Sequence, residues 1–76
     1  MITVKLFGLL RLDSGIREKL LEAETVKEVL DALEALGIPR KDLESCIILV
    51  DGKSANKRSK LRDGAAVVLM SPVAGG

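Results

Sequence analysis

The sequence predicts a two-layer α+β domain in which one main helix packs across one face of a mixed sheet of four to five strands. Three stretches carry that prediction. The opening MITVKLF alternates strictly, placing Ile2, Val4 and Leu6 on one face and Thr3, Lys5 and Phe7 on the other, as in a half-buried strand. Further on, Val26, Val29, Leu30, Leu33 and Leu36 recur at helical spacing and form one apolar stripe. Two later apolar runs, CIILV and AAVVLM, have strand length and are bounded by turn residues. A single stripe has to be covered, and the large apolar surface left to cover it is a sheet.

In chain order, Gly8 ends the first strand, Asp13-Ser14-Gly15 is turn chemistry, and IREKLLEA returns as a second strand with poor alternation. TVKE at residues 25–28 has capping-box spacing: the Thr25 hydroxyl accepts from the Glu28 amide, and the Glu28 carboxylate reaches back to the Thr25 amide. Gly37 supplies a left-handed stop, Ile38 its hydrophobic contact, and Pro39 prevents the helix from resuming. Residues 25–36 therefore read as wholly structural. CIILV reads as a buried strand, Asp51-Gly52 as a two-residue hairpin, KSANKR as the return strand, and Asp63-Gly64 as the turn into AAVVLM. This layout is the β-grasp, or ubiquitin-like, arrangement. In it the last strand lies parallel beside the first, with Val67 and Leu69 inside and Val68 and Met70 outside. Phe7 and Met70 then become neighbours at the end from which the tail departs, and an exposed pair of this kind reads as a binding patch.

Composition excludes much chemistry. The chain has 76 residues, enough for one domain over 1–76 with residues 71–76 as a projecting tail. A chain this short buries only roughly 60% of its unfolded surface, so its core must be strongly apolar. The sequence is 47% hydrophobic, with Phe7 as its one aromatic and no His. Without His there is no imidazole base, no Ser-His or Cys-His nucleophile pair and no His ligand for zinc, so a pocket enzyme is not expected. Cys46 is the only cysteine, which rules out an internal disulfide and a thiolate cluster and leaves a buried, inert thiol as the expectation. No signal-peptide pattern and no apolar run near membrane-spanning length is present, so a cytoplasmic protein without membrane contact is expected. The net charge of +1 favours neither nucleic acid nor membrane. Lys53, Lys57, Arg58, Lys60 and Arg62 nevertheless fall together without an intervening acid. They read first as a solvated hairpin that keeps an edge strand soluble, and second as a docking surface for an acidic partner. Nucleic acid is the weakest reading, because no aromatic is interleaved to stack on bases.

The ending, SPVAGG, needs a reason, since the chain passes from a core strand to its last residue within six positions. KLFGLLR, ILVDGK and LRDGAAVVLMSPVAGG together resemble the small subunit of molybdopterin synthase, the MoaD/ThiS group of ubiquitin-like sulfur carriers. The resemblance spans essentially the whole chain and is most specific in the last sixteen residues. Leu12 and Met70 depart from it, where many members carry an acid and an aromatic.

The resemblance implies a protein that makes no bond by itself. Its C-terminal carboxylate, here that of Gly76, is adenylated with ATP by a ubiquitin-activating type of enzyme (MoeB-like) and then converted to a thiocarboxylate. As small subunit of molybdopterin synthase, in a heterotetramer with the large subunit (MoaE-like), it gives its sulfur to the pterin precursor of the molybdenum cofactor. No cofactor binds this chain in that scheme; ATP, and zinc where it is used, belong to the activating enzyme. Among site residues the resemblance implies Gly76 and Gly75 as the reacting end, Pro72, Val73 and Ala74 as partner contacts, and Arg11 as a cation toward an acidic partner group, a solvated loop charge being its equal alternative. The chemistry suits these residues. An α-carboxylate of pKa about 3.5 is ionised at neutral pH, and glycine leaves no Cβ to crowd an attack on the carbonyl. Pro72 stiffens the tail base and holds Ser71 extended. The same tail would also suit a carrier for thiazole, cysteine or tRNA thiolation, or a tag attached to lysines. A β-grasp module that binds RNA or protein through the basic segment is a further alternative.

Overall fold

The computed structural model describes residues 1–71; Pro72, Val73, Ala74, Gly75 and Gly76, all expected in the site, lie outside the described residues. The elements are β1 (Ile2–Phe7), α1 (Leu9–Ser14), β2 (Glu18–Leu21), α2 (Val26–Ala35), α3 (Arg40–Glu44), β3 (Ile47–Val50), β4 (Lys53–Ser54) and β5 (Ala66–Met70). The strands form one mixed sheet in the order β2-β1-β5-β3-β4. The central pair, β1 and β5, is parallel and the other pairings are antiparallel. This is the expected β-grasp, with α2 as its main helix.

The alternation in β1 is realised as read: Ile2, Val4 and Leu6 are buried, as are Val67 and Leu69 of β5. They meet Val26, Val29, Leu30 and Leu33 of α2 in one apolar core that contains no polar side chain among the described residues. Cross-strand and helix-to-sheet packing of this kind stabilises by about 1.5–3 kcal/mol for each fully buried Val, Leu or Ile.

Both ends of α2 follow from local chemistry. Thr25 sits in extended conformation and its hydroxyl accepts from the Glu28 amide at 3.3 Å. The reciprocal arm differs from the expected box, because the Glu28 carboxylate accepts from the Glu24 amide at 2.8 Å. At the other end the Ile38 amide donates to the Leu33 carbonyl at 3.3 Å and the Gly37 amide to the Glu34 carbonyl at 2.9 Å, a Schellman closure made possible by φ 108° at Gly37. Ile38 is buried, as that motif requires. Leu36, expected in the stripe, is the cap residue of α2 and is 48% exposed.

Three further expectations are corrected. The segment after Gly8 is not turn alone: Leu9–Ser14 is a short helix closed by Gly15 in left-handed conformation. Pro39 stops α2 but also opens α3 immediately afterwards. The return strand after the Asp51-Gly52 hairpin is only two residues long. That hairpin does have the expected turn, with φ 50° and 83° at its two central residues, the type I′ signature. Beyond β4 the chain crosses to the start of α2. There the carbonyls of Ser59 and Lys57 accept from the Val26 and Lys27 amides, each at 3.0 Å. The basic segment thus ends the sheet with a very short edge strand and satisfies helix amides that would otherwise be orphaned.

Candidate functional site

The parallel β1/β5 pairing brings the predicted neighbours into register, with Phe7 opposite Met70. Both are the last residues of their strands, so both lie at the sheet end from which the chain continues to Ser71. The antiparallel β3/β5 pairing sets Ile47 opposite Met70 on its other side. Phe7, Met70 and Ile47 therefore form a row across three strands, on the face that the core-facing Leu6 and Leu69 leave to solvent. Phe7 is 42% and Ile47 48% exposed, while Met70 between them is half-buried. One register step inward, Lys5, Val68 and Leu49 form a second row. The apolar row of Phe7, Met70 and Ile47, continued inward by Val68 and Leu49 with Lys5 at its edge, can take up an apolar partner surface next to the tail root.

Ile47 was hidden in the sequence because CIILV shows no alternation and reads as buried throughout. In the structure β3 contributes Ile48 and Val50 to the core and turns Ile47 outward. Alternation imposed by pairing with AAVVLM was the signal that could have revealed it. Cys46, next to Ile47, is half-buried, and its thiol donates to the Leu43 carbonyl at 2.8 Å. Burial pushes this thiol above its ordinary pKa, which suits an inert thiol better than a nucleophile.

Arg11 lies on α1, exposed and without an ion pair to any described residue. Leu9 and Leu12 of the same helix are 51% and 75% exposed. Between α1 and the connection from α2 to α3 runs a groove of about 420 Å³, whose walls include Leu9, Leu36, Ile38 and Pro39, with Asp13 and Asp42 also lining it and Ser71 at the tail root. Among the described residues no group of His, Cys, Asp or Glu is arranged to hold a metal ion. None of the described helices is long and apolar enough to cross a membrane.

A five-stranded β-grasp sheet with an outward apolar row at its Ser71 end, in a sequence that carries Gly75-Gly76, is the pattern of a ubiquitin-like carrier or modifier. The chain matches the ThiS family over residues 4–76 and belongs to it. Among solved structures it is similar to the small archaeal modifier protein 1 from Methanosarcina acetivorans, with 26% identity, coverage of 99% of this chain and 95% of that one, and a TM-score of 0.84. It is also similar to a chain of the complex of subunits 1 and 2 of molybdopterin-converting factor from Helicobacter pylori, with 25% identity, coverage of 99% and 97%, and a TM-score of 0.75. The Amycolatopsis orientalis BexX/CysO complex contains a chain of the same fold, 21% identical, with full coverage of both chains and a TM-score of 0.81. No curated protein sequence matches the chain.

Proposed function

We propose that this protein is the sulfur carrier of a molybdopterin synthase, its small subunit, with the carboxylate of Gly76 as the group that carries sulfur. The observation that bears most weight is that the family match extends to residue 76 and so takes in the Gly75-Gly76 ending together with the fold. The likeness to a chain from the complex of molybdopterin-converting factor subunits supports the pathway and a large-subunit partner.

The chemistry proceeds in balanced steps. The ionised carboxylate attacks the α-phosphorus of ATP on the activating enzyme, forming an acyl-adenylate and releasing pyrophosphate. A persulfide sulfur then attacks the carbonyl carbon and expels AMP. A thiol reductant cleaves the resulting S–S bond and leaves the thiocarboxylate. Sulfur passes to the pterin precursor on the large subunit, and water restores the carboxylate. Gly75 and Gly76 contribute the absence of side chains, so the carbonyl can be approached from either face and the tail can thread a narrow channel. Pro72, Val73 and Ala74 are the channel contacts. Phe7, Met70 and Ile47 are the docking row, with Arg11 as a cation toward an acidic group of the partner. ATP, and zinc where it is used, remain with the activating enzyme, and the setting is the cytoplasm.

The likeness to an archaeal modifier protein supports a second reading, a tag joined to lysines through the same activated carbonyl. Intact-mass analysis after incubation with ATP, an adenylating enzyme of this type and a persulfide donor separates the outcomes. The carrier reading expects a mass rise equal to the exchange of one oxygen for sulfur, reversed when large subunit and pterin precursor are added. Persistence of the thiocarboxylate in that mixture, with isopeptide-linked products in lysate, would favour the tag. No mass change at all would remove both.

A further inference from the structure

The chain leaves the described fold at Ser71, and the way this residue is held carries an inference that rests on the sulfur-carrier reading. Its amide donates to the Phe7 carbonyl at 3.4 Å, extending the β1/β5 ladder by one rung. Its hydroxyl oxygen accepts from the Leu10 amide at 2.8 Å, across 61 residues of sequence. Leu10 is in the first turn of α1, whose own cap position is Gly8 and offers no side-chain acceptor. Ser71 therefore supplies from the far end of the chain the acceptor that this turn lacks.

The fit is close. Gly8 adopts φ 70° and ψ −144°, a backbone region that side chains avoid. A Cβ built there would stand 3.3 Å from the Ser71 Cβ. The β1-to-α1 turn is thus shaped to let the tail root pass against it. Together with the extended bias that the following proline imposes on residue 71, these bonds fix both the position and the direction from which the tail starts.

We infer that Ser71 is a positioning residue for tail activation: its hydroxyl, latched to α1, sets the exit direction of the reactive end. A tail whose root is already aligned loses less freedom on entering a partner's channel than one that swings from Met70. Once bound, the channel holds the tail in either case. Loss of the latch therefore weakens productive binding and leaves the bound-state chemistry unchanged.

The test compares the full chain with Ser71→Ala and Ser71→Thr in ATP–pyrophosphate exchange with an adenylating enzyme of this type. Ser71→Ala is expected to raise KM about three- to tenfold with kcat unchanged, the range set by one lost hydrogen bond. Ser71→Thr, which keeps the acceptor oxygen, is expected to restore most of the loss. Amide hydrogen exchange at Leu10 should be faster in Ser71→Ala and recover in Ser71→Thr. Wild-type KM in Ser71→Ala, or equal impairment by Thr, overturns the inference while the carrier reading stands. If the wild-type chain is not adenylated, the carrier reading falls instead. Exchange at Leu10 then decides the latch, and equal rates in all three proteins would refute it.

Discussion

The helix side of the molecule and its tail-bearing end are built by opposite rules. On the helix side the α2 stripe is sealed against β1 and β5, and the first amides of α2 find acceptors in Thr25, Ser59 and Lys57. At the tail-bearing end, Phe7 and Ile47 stay substantially exposed, Leu9 and Leu36 flank an open groove, and Ser71 is held by two hydrogen bonds. The contrast separates stability from function. Folding energy is concentrated where nothing is left to bind, and the surfaces free to bind contribute little to folding. Substitutions at the two ends should therefore have effects that hardly overlap.

The largest effect is expected at the tail. Deleting Gly75 and Gly76, or replacing Gly76 by Val, should abolish sulfur loading in the intact-mass assay while the thermal midpoint stays at the wild-type value. A lowered midpoint would place part of the folding energy in the tail and dissolve the contrast. Next comes the core. Leu33 is fully buried and its carbonyl closes the Schellman motif, so Leu33→Ala should cost about 2–5 kcal/mol. In a domain this small that lowers Tm by on the order of 10 °C or more. Loading measured well below the new midpoint should be nearly unaffected, since the substitution touches no surface at the tail end.

How far each end could be read from sequence follows from the same contrast. The helix side was legible, because an apolar period, a Thr with Glu three residues on, and Gly-Ile-Pro after the last turn are local and mutually consistent signals. The tail-bearing end was legible only in part. Phe7 and Met70 could be placed together because alternation assigns a face and the parallel pairing assigns a neighbour. Ile47 could not, since a run of four aliphatics carries no alternation. The helices α1 and α3, six and five residues long, are too short for a 3.6-residue period to emerge, and each follows a Gly or Pro that reads as a stop. The groove and the Ser71 latch both involve α1 and were invisible for that reason. The basic segment was legible only in its side chains: they are solvent-exposed at an edge strand as read, but its backbone carbonyls also cap a helix, and a carbonyl leaves no trace in residue type.

A smaller, surface-confined effect is expected at Ile47. Its 48% exposure means that Ile47→Asp removes little buried area, so unfolding should change by less than about 1 kcal/mol. If the row of Phe7, Met70 and Ile47 is the docking surface, affinity for the large subunit should fall by on the order of tenfold or more. Calorimetric titration and a thermal melt of the same sample measure both quantities. Unchanged affinity would move the docking surface elsewhere, the groove beside Ser71 being the next candidate.

The smallest effect belongs to the ion pairs on the helix side. Arg40 contacts Asp31 at 2.7 Å and Glu44 at 3.0 Å, tying α3 to α2, and Lys57 reaches Glu44 at 3.1 Å from the capping segment. The hydrogen bond from Arg40 is the main cause that lowers the pKa of both carboxylates. A carboxylate lowered in the fold adds stability that is fully present above its ordinary value, 3.8 for Asp31 and 4.5 for Glu44, and lost as pH falls through its folded value. Arg40→Met should therefore lower the thermal midpoint slightly at neutral pH, and the two proteins should converge as the solution is acidified below pH 4. The two carboxylates are solvent-exposed and Arg40 partly so, and added salt should therefore shrink the neutral-pH difference as well. A difference that instead grows in acid would mean that Arg40 acts through its packed stem and not its charge. Loading of Gly76 should be the same in both proteins, because none of the side chains in this network lines the groove beside Ser71.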